Sequence, residues 1–207
     1  MVLLERAFSR RPRLFDLLHR AHLVRAISQT NEIELKAIEE YAMGAGTALE
    51  IGSSQGVSAA RIAAAMSDSG ILYCVDPWPA SEGKLNACHA IFRRHISRTG
   101  VTSKIRVLQK VSSAVGGLVP SEIDFIFVDG DHSWKGIETD WCLVRQKLRF
   151  GGIVCLHDSL IPAEEPWREP ESVKFYQQVV AADPEFRTID HVHSLAVLRR
   201  IEPKIDR

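Results

Sequence analysis

Short apolar runs alternate with stretches whose apolar residues recur every three or four positions. The runs are Thr47 to Ile51, Ile71 to Val75, Ile105 to Leu108, Ile123 to Val128 and Ile153 to Leu156. Each is too short for a buried helix and almost free of internal polar residues, the pattern of strands covered on both faces. Between them lie helical periods. Val57, Ala59, Ala60, Ile62, Ala63, Ala64 and Met66 form a small-residue helix. Residues 84–98 place Leu85, Cys88, Ile91, Phe92 and Ile96 inward and Arg93, Arg94 and Arg98 on a solvated face, with Gly100 as the stop. Ser112 and Ser113 open a short helix, and residues 134–148 align Ile137, Trp141, Val144 and Leu148. Alternating strand and helix predict an α/β fold, a mostly parallel sheet with helices on both faces.

The ends of the chain extend this core. Residues 12–27 space Leu14, Leu17, Leu18, Ala21 and Val24 or Arg25 as a helix face, with Pro12 in the first turn. Asn31 followed by Glu34 is a capping-box pattern, opening a helix with Ile33, Ala37, Ile38 and Tyr41 on its apolar side and Gly44 as its stop. Residues 1–44 therefore read as a helical extension, a lid or dimer arm, and 45–207 as the main domain. After a loop at 160–170, a helix is expected over 171–182. Two strands, 186–192 and 194–201, then form a closing hairpin in which His191 and His193 read as edge residues.

Composition narrows the function. A net charge of +0 over 207 residues gives no whole-protein electrostatic case for nucleic acid. The exception is local, with six arginines and one acid, Asp16, between residues 6 and 25. That segment is compositionally like a transit peptide, but its apolar spacing suits a docked helix. No apolar run has the length of a membrane span. Cys74, Cys88, Cys142 and Cys155 are scattered without a C-x-x-C pair, which fits reduced thiols and a cytoplasmic setting.

Chemistry concentrates at strand ends. The fourth run ends in Asp129-Gly130-Asp131-His132-Ser133 and the fifth in His157-Asp158-Ser159. Two carboxylates and an imidazole so close need a cation, a proton or a substrate to be favourable. After the first run, Gly52-Ser53-Ser54-Gln55-Gly56 leads into a helix, so that free N–H groups face a ligand. Asp76, 20 residues beyond Gly56, ends the second run, where Rossmann-like folds place the acid that binds ribose hydroxyls. Trp78, Trp134 and the 160–170 loop are candidate acceptor contacts, weighed against plain packing.

With these pieces the chain resembles a class I S-adenosylmethionine-dependent methyltransferase, in the small-molecule O-methyltransferase-like group with a D-G-D-H-S segment. The resemblance spans about residues 45–201 and rests on Glu50-Ile-Gly-Ser-Ser-Gln-Gly56, Val75-Asp76-Pro-Trp78, Phe127 to Ser133 and Gly151 to Ser159. It implies a Rossmann-like seven-stranded sheet of order 3-2-1-4-5-7-6 with one reversed strand. It implies that Glu50, Gly52, Ser53 and Gly56 shape the methionine and ribose pocket, Asp76 takes the ribose and Ser112 meets adenine. Asp129 would face the reaction centre. Ser54 stands where the commonest loop has glycine. Some relatives hold a divalent cation, which would place Mg²⁺ on Asp129, Asp158 and Ser159, and either His132 or His157 would be the general base. The implied partner is a small hydroxylated acceptor, a sugar or phenol, with no nucleic acid or membrane, and the N-terminal helices would support a homodimer. Three other readings compete. A metal-dependent hydrolase built on the Asp/His cluster leaves the glycine loop and Asp76 unexplained. A nicotinamide oxidoreductase would want G-x-G-x-x-G. A non-catalytic cofactor-binding protein would not need acids at both strand ends.

Overall fold

The computed structural model describes residues 11–79, 86–164 and 170–202. Two helices, α1 (Pro12–Arg20) and α2 (Glu32–Tyr41), precede the first strand. There follow β1 (Thr47–Ile51), α3 (Val57–Ala65), β2 (Ile71–Val75), α4 (Ala87–Thr99), β3 (Ile105–Leu108) and β4 (Ile123–Val128). Then come α5 (Trp134–Lys147), β5 (Leu148–Leu156), α6 (Glu171–Phe175), β6 (Phe186–Val192) and β7 (Leu195–Arg200). The π-turn Tyr176–Val180 continues α6. The sheet order is β3-β2-β1-β4-β5-β7-β6, as the resemblance implies. Only β7 is reversed: it pairs antiparallel with both β5 and β6.

Alternation along the strands builds two cores. Ala48, Leu72, Cys74, Phe125, Phe127, Cys155, Leu195 and Val197 face one side, against α2, α3 and α4. Leu49, Ile51, Val75, Ile126, Val128, Val154, Leu156, Ala196 and Leu198 face the other, against α5 and α6. Each fully buried Val, Leu, Ile or Phe among them contributes about 1.5–3 kcal/mol of transfer free energy. All four cysteines are free, and Cys74 and Cys155 are buried. Among the described residues no helix is long and apolar enough to cross a membrane.

The N-terminal helices differ from expectation in which face is buried. In α1, Phe15 and His19 are the buried pair, while Leu14 and Leu17 are exposed. Hydrophobic spacing marks a stripe, but the neighbour decides which stripe is covered, and here it is α4. Arg94 pairs with Asp16. The guanidinium of Arg98 donates to the carbonyls of His19 (2.9 Å) and Arg20 (3.2 Å). Arg94 and Arg98 are therefore clamps rather than a solvated face. The chain leaves α1 through a left-handed His22 (φ 60°), with the Leu23 N–H bonded to the Leu18 carbonyl, so the helix ends at Arg20 and does not run on to residue 27; Arg98 then satisfies its last carbonyls. In α2 the capping box forms as read, but Glu34 and Leu35 are buried and Ile33 is exposed. Leu85 and Ser81-Glu82-Gly83, like residues 165–169 of the later loop, lie outside the described residues.

Candidate active site

The carboxyl ends of β1, β2 and β4 frame a cleft of about 460 Å³, within the usual range for a small-molecule site. Its lining includes Gly52, Asp76, Ser112, Asp129 and Asp131, all marked by the sequence, joined by Lys110, Lys135 and Asp140. Gly52 is required by geometry. Its φ is +91°, and a Cβ there would sit 1.9 Å from the Asp129 carbonyl oxygen. Gly56, at φ +83°, is needed for a different reason. A Cβ would come within 2.8 Å of the Phe92 ring, so this glycine lets α3 pack against α4. Ser54 sits at φ 44°, the left-handed region, which explains why a glycine suits that position.

Asp76 organises the loop around it. One carboxylate oxygen accepts from the Ser54 N–H at 2.9 Å and the other from the Trp78 N–H at 2.7 Å. Each oxygen keeps a second lone pair toward the cleft. Trp78 is buried, donates from Nε1 to the Ser54 carbonyl (2.8 Å) and stacks on His89 at 4.4 Å. It props the glycine loop from behind. Trp134 packs edge-on against Phe175.

Glu50 and Ser53 lie under the cleft rather than in its lining. Glu50 is fully buried, and neither of its carboxylate oxygens has a completed hydrogen bond. Burial pushes its carboxyl up to about 7; the Ser53 and Ser58 hydroxyls offset part of that, and the charges of Asp129 and Asp76 add to it. A raised acid binds more protons folded than unfolded. The ligand-free protein therefore loses stability as pH rises from about 4.5 to about 7, by about 3 kcal/mol from this group. Glu50→Gln should flatten that slope in urea denaturation curves recorded across the window.

At the far end of the cleft stands a second group. The Oδ1 of Asp129 faces His157 Nδ1 at 3.0 Å and His132 Nε2 at 3.3 Å. Its Oδ2 accepts from the Thr30 hydroxyl at 3.4 Å. The outer nitrogens meet carboxylates: His157 Nε2 lies 3.3 Å from Glu34 Oε2, and His132 Nδ1 lies 3.4 Å from Asp158 Oδ2. Burial alone would raise the Asp129 carboxyl, but His132 and His157 hold it well below the usual carboxylate range. Burial alone would lower His157, but Asp129 and Glu34 hold it up to about 10. The adjacent Asp129 carboxylate raises His132 as well. His157 is nearly buried, with 5% of its side chain exposed, whereas His132 keeps 30%.

Glu34 was legible in the sequence only as a cap. Its Oε1 accepts from the Ser194 N–H (3.0 Å) and hydroxyl (2.6 Å) and faces His193 Nδ1 (3.0 Å). Its Oε2 accepts from the Asn31 N–H at 3.0 Å. The segment before β1 thus forms a wall of the site, and Gln55 anchors it by accepting from the Ile27 N–H at 3.0 Å. Glu34→Ala should lower unfolding free energy by about 3 kcal/mol, because it strands buried donors and deletes the cap. Chemical denaturation at neutral pH checks this.

Of the three residues expected to hold Mg²⁺, Asp129 and Asp158 face the same two imidazoles, and Ser159 turns away. The Ser159 hydroxyl is buried and donates to the His157 carbonyl at 3.4 Å. Asp158, at φ 51°, turns an oxygen to His132. The groups that converge on Asp129 are imidazole nitrogens, and an all-oxygen Mg²⁺ shell does not fit them.

The strand order, the glycine loop after β1 and the acid ending β2 together define a Rossmann-like methyltransferase fold. The profile of a family described as a methyltransferase domain matches residues 49–159, over half of the chain, and the protein belongs to that family. Solved structures agree in fold. A protein from Corynebacterium glutamicum superposes with a TM-score of 0.68 at 16% identity, covering 86% of this chain and 85% of that one. An O-methyltransferase from Bacillus cereus in complex with SAH gives 0.64 at 18% identity, covering 94% and 91%. An O-methyltransferase from Streptomyces achromogenes involved in tomaymycin synthesis, in complex with SAM, gives 0.62 at 15%, covering 86% and 82%. No match is found among curated protein sequences.

Proposed function

We propose that the protein transfers a methyl group from S-adenosylmethionine to a hydroxyl of a small acceptor. The observation that carries this reading is the position of Asp129. It lines the cofactor-sized cleft and also anchors the His132–His157 cluster, so cofactor and acid–base machinery meet at one residue. In this reading Asp76 takes the ribose hydroxyls and Ser112 lies toward the base. The O-methyltransferases with the same fold support it.

The chemistry asks for little beyond placement. The sulfonium carries an electrophilic methyl, and the acceptor oxygen attacks opposite the sulfur. The C–O bond forms as the C–S bond breaks, and the hydroxyl proton leaves to the Asp129 cluster. Holding the reactants in line accounts for several orders of magnitude. Four acids around the cleft, Asp76, Asp129, Asp131 and Asp140, outnumber its two lysines, Lys110 and Lys135, and this acidic excess favours a cationic cofactor over its neutral product.

The test is direct. With S-adenosylmethionine and a panel of phenols and vicinal-diol sugars, at least one acceptor should release S-adenosylhomocysteine together with its methyl ether. If no hydroxylated acceptor is methylated while an amine or thiol is, the O-methyl assignment is wrong.

A further inference from the structure

We infer that Asp129, His132 and His157 form a binding site for a divalent transition metal of the imidazole-binding kind, such as Zn²⁺, Co²⁺ or Fe²⁺, and not for Mg²⁺. The three side chains each offer one ligand atom, and those atoms lie within 4.8 Å of one another. Two ring nitrogens, His157 Nδ1 and His132 Nε2, approach one oxygen at 3.0 and 3.3 Å. For metal bonds of about 2.0–2.1 Å, neighbouring ligand atoms stand about 2.9–3.4 Å apart, so both contacts have the length of a coordination edge.

The hydrogen-bond pattern points the same way. Both inner nitrogens are buried and neither completes a hydrogen bond, although each sits beside a carboxylate oxygen. The outer nitrogens face carboxylates, His157 toward Glu34 at 3.3 Å and His132 toward Asp158 at 3.4 Å. A carboxylate behind each ring holds an N–H on the outer side, so the inner nitrogen is the one that can give up its proton to a metal ion. Without an ion, protons on the rings satisfy the Asp129 carboxylate; a divalent ion takes their place at the shared point. Thr30 holds the other Asp129 oxygen at 3.4 Å, which reserves Oδ1 for the shared point. Imidazole nitrogen suits borderline divalent ions, whereas Mg²⁺ takes oxygen shells.

The site stands on its own geometry. Its role rests on the methyl-transfer reading. A three-ligand site keeps positions open for the acceptor hydroxyl, which a metal makes more acidic. With an ion bound, His132 and His157 would hold it, and the proton of the more acidic hydroxyl would leave to solvent. Asp158, read in the sequence as a ligand, becomes the partner that orients His132.

Chelator-stripped protein titrated with Co²⁺ in the absence of cofactor is the experiment. One ion per chain should bind, with a visible absorption band of imidazole-coordinated Co²⁺. Zn²⁺ should displace it, and Mg²⁺ in excess should neither displace it nor raise the melting midpoint. His157→Ala and His132→Ala should lose the band, Glu34→Gln should bind about 10–100-fold more weakly, and Ser159→Ala should bind normally. Absence of a saturable Co²⁺ band in the wild-type protein overturns the site, as does a band surviving in both histidine variants. Equal competition by Mg²⁺ overturns the selectivity. Because no cofactor is present, metal binding can hold while methyl transfer fails, and the reverse.

Discussion

Gly52→Ala should weaken S-adenosylhomocysteine binding by about 10²-fold and lower unfolding free energy by about 2–5 kcal/mol. The added Cβ would lie 1.9 Å from the Asp129 carbonyl oxygen, 2.5 Å from its carbon and 3.0 Å from the Gly130 nitrogen. All three are backbone atoms, so no side chain can swing away. The φ of +91° adds its own strain to any residue with a Cβ. Relief requires the ends of β1 and β4 to part. That stretches the Asp129 N–H bond to the Ile51 carbonyl and the Gly52 N–H bond to the Val75 carbonyl, both 2.8 Å. The two halves of the proposed site meet at this point, so a shift here misplaces cofactor and cluster together. Titration calorimetry and urea denaturation read both effects. Wild-type affinity in the variant would show that the loop does not carry the cofactor.

Asp129→Asn should lower turnover by about 10²–10⁴-fold with a smaller change in S-adenosylhomocysteine affinity. The substitution keeps the shape and removes the charge toward which both imidazoles converge. Deprotonation of the acceptor depends on that charge, whether the cluster takes the proton itself or holds an ion that acidifies the hydroxyl. Cofactor binding depends on it less, since Gly52, Asp76 and Ser112 remain. Single-turnover rates at saturating cofactor isolate the step. A variant within tenfold of wild-type would remove Asp129 from the reaction centre.

Much of this was legible in the chain. Four of the five strand runs match their observed bounds, because short apolar runs mark buried strands, and in three of the four the Gly or Asp that follows marks the functional edge as well. β5 starts earlier than its apolar run, since Leu148 already pairs with Ile123 before the Gly151 bend. The Asn31–Glu34 cap formed as read because capping is local. What could not be read depends on distant partners. Glu34 had a sufficient local explanation, and nothing in sequence announces a histidine 123 residues away. Thr30 reaches Asp129 across 99 residues. The leucines of α1 carried a valid helical period, yet Phe15 and His19 are covered because α4 lies on their side. Ser159 sits beside Asp158 in sequence, but the backbone there turns its hydroxyl to its own chain.

Calorimetric titration of S-adenosylhomocysteine, with NAD⁺ as the control, tests the central claim most directly. The account predicts saturable binding of one S-adenosylhomocysteine per chain, none of NAD⁺, and loss of the signal in Gly52→Ala. No binding of S-adenosylhomocysteine to the folded wild-type protein, or binding unchanged in Gly52→Ala, would contradict it.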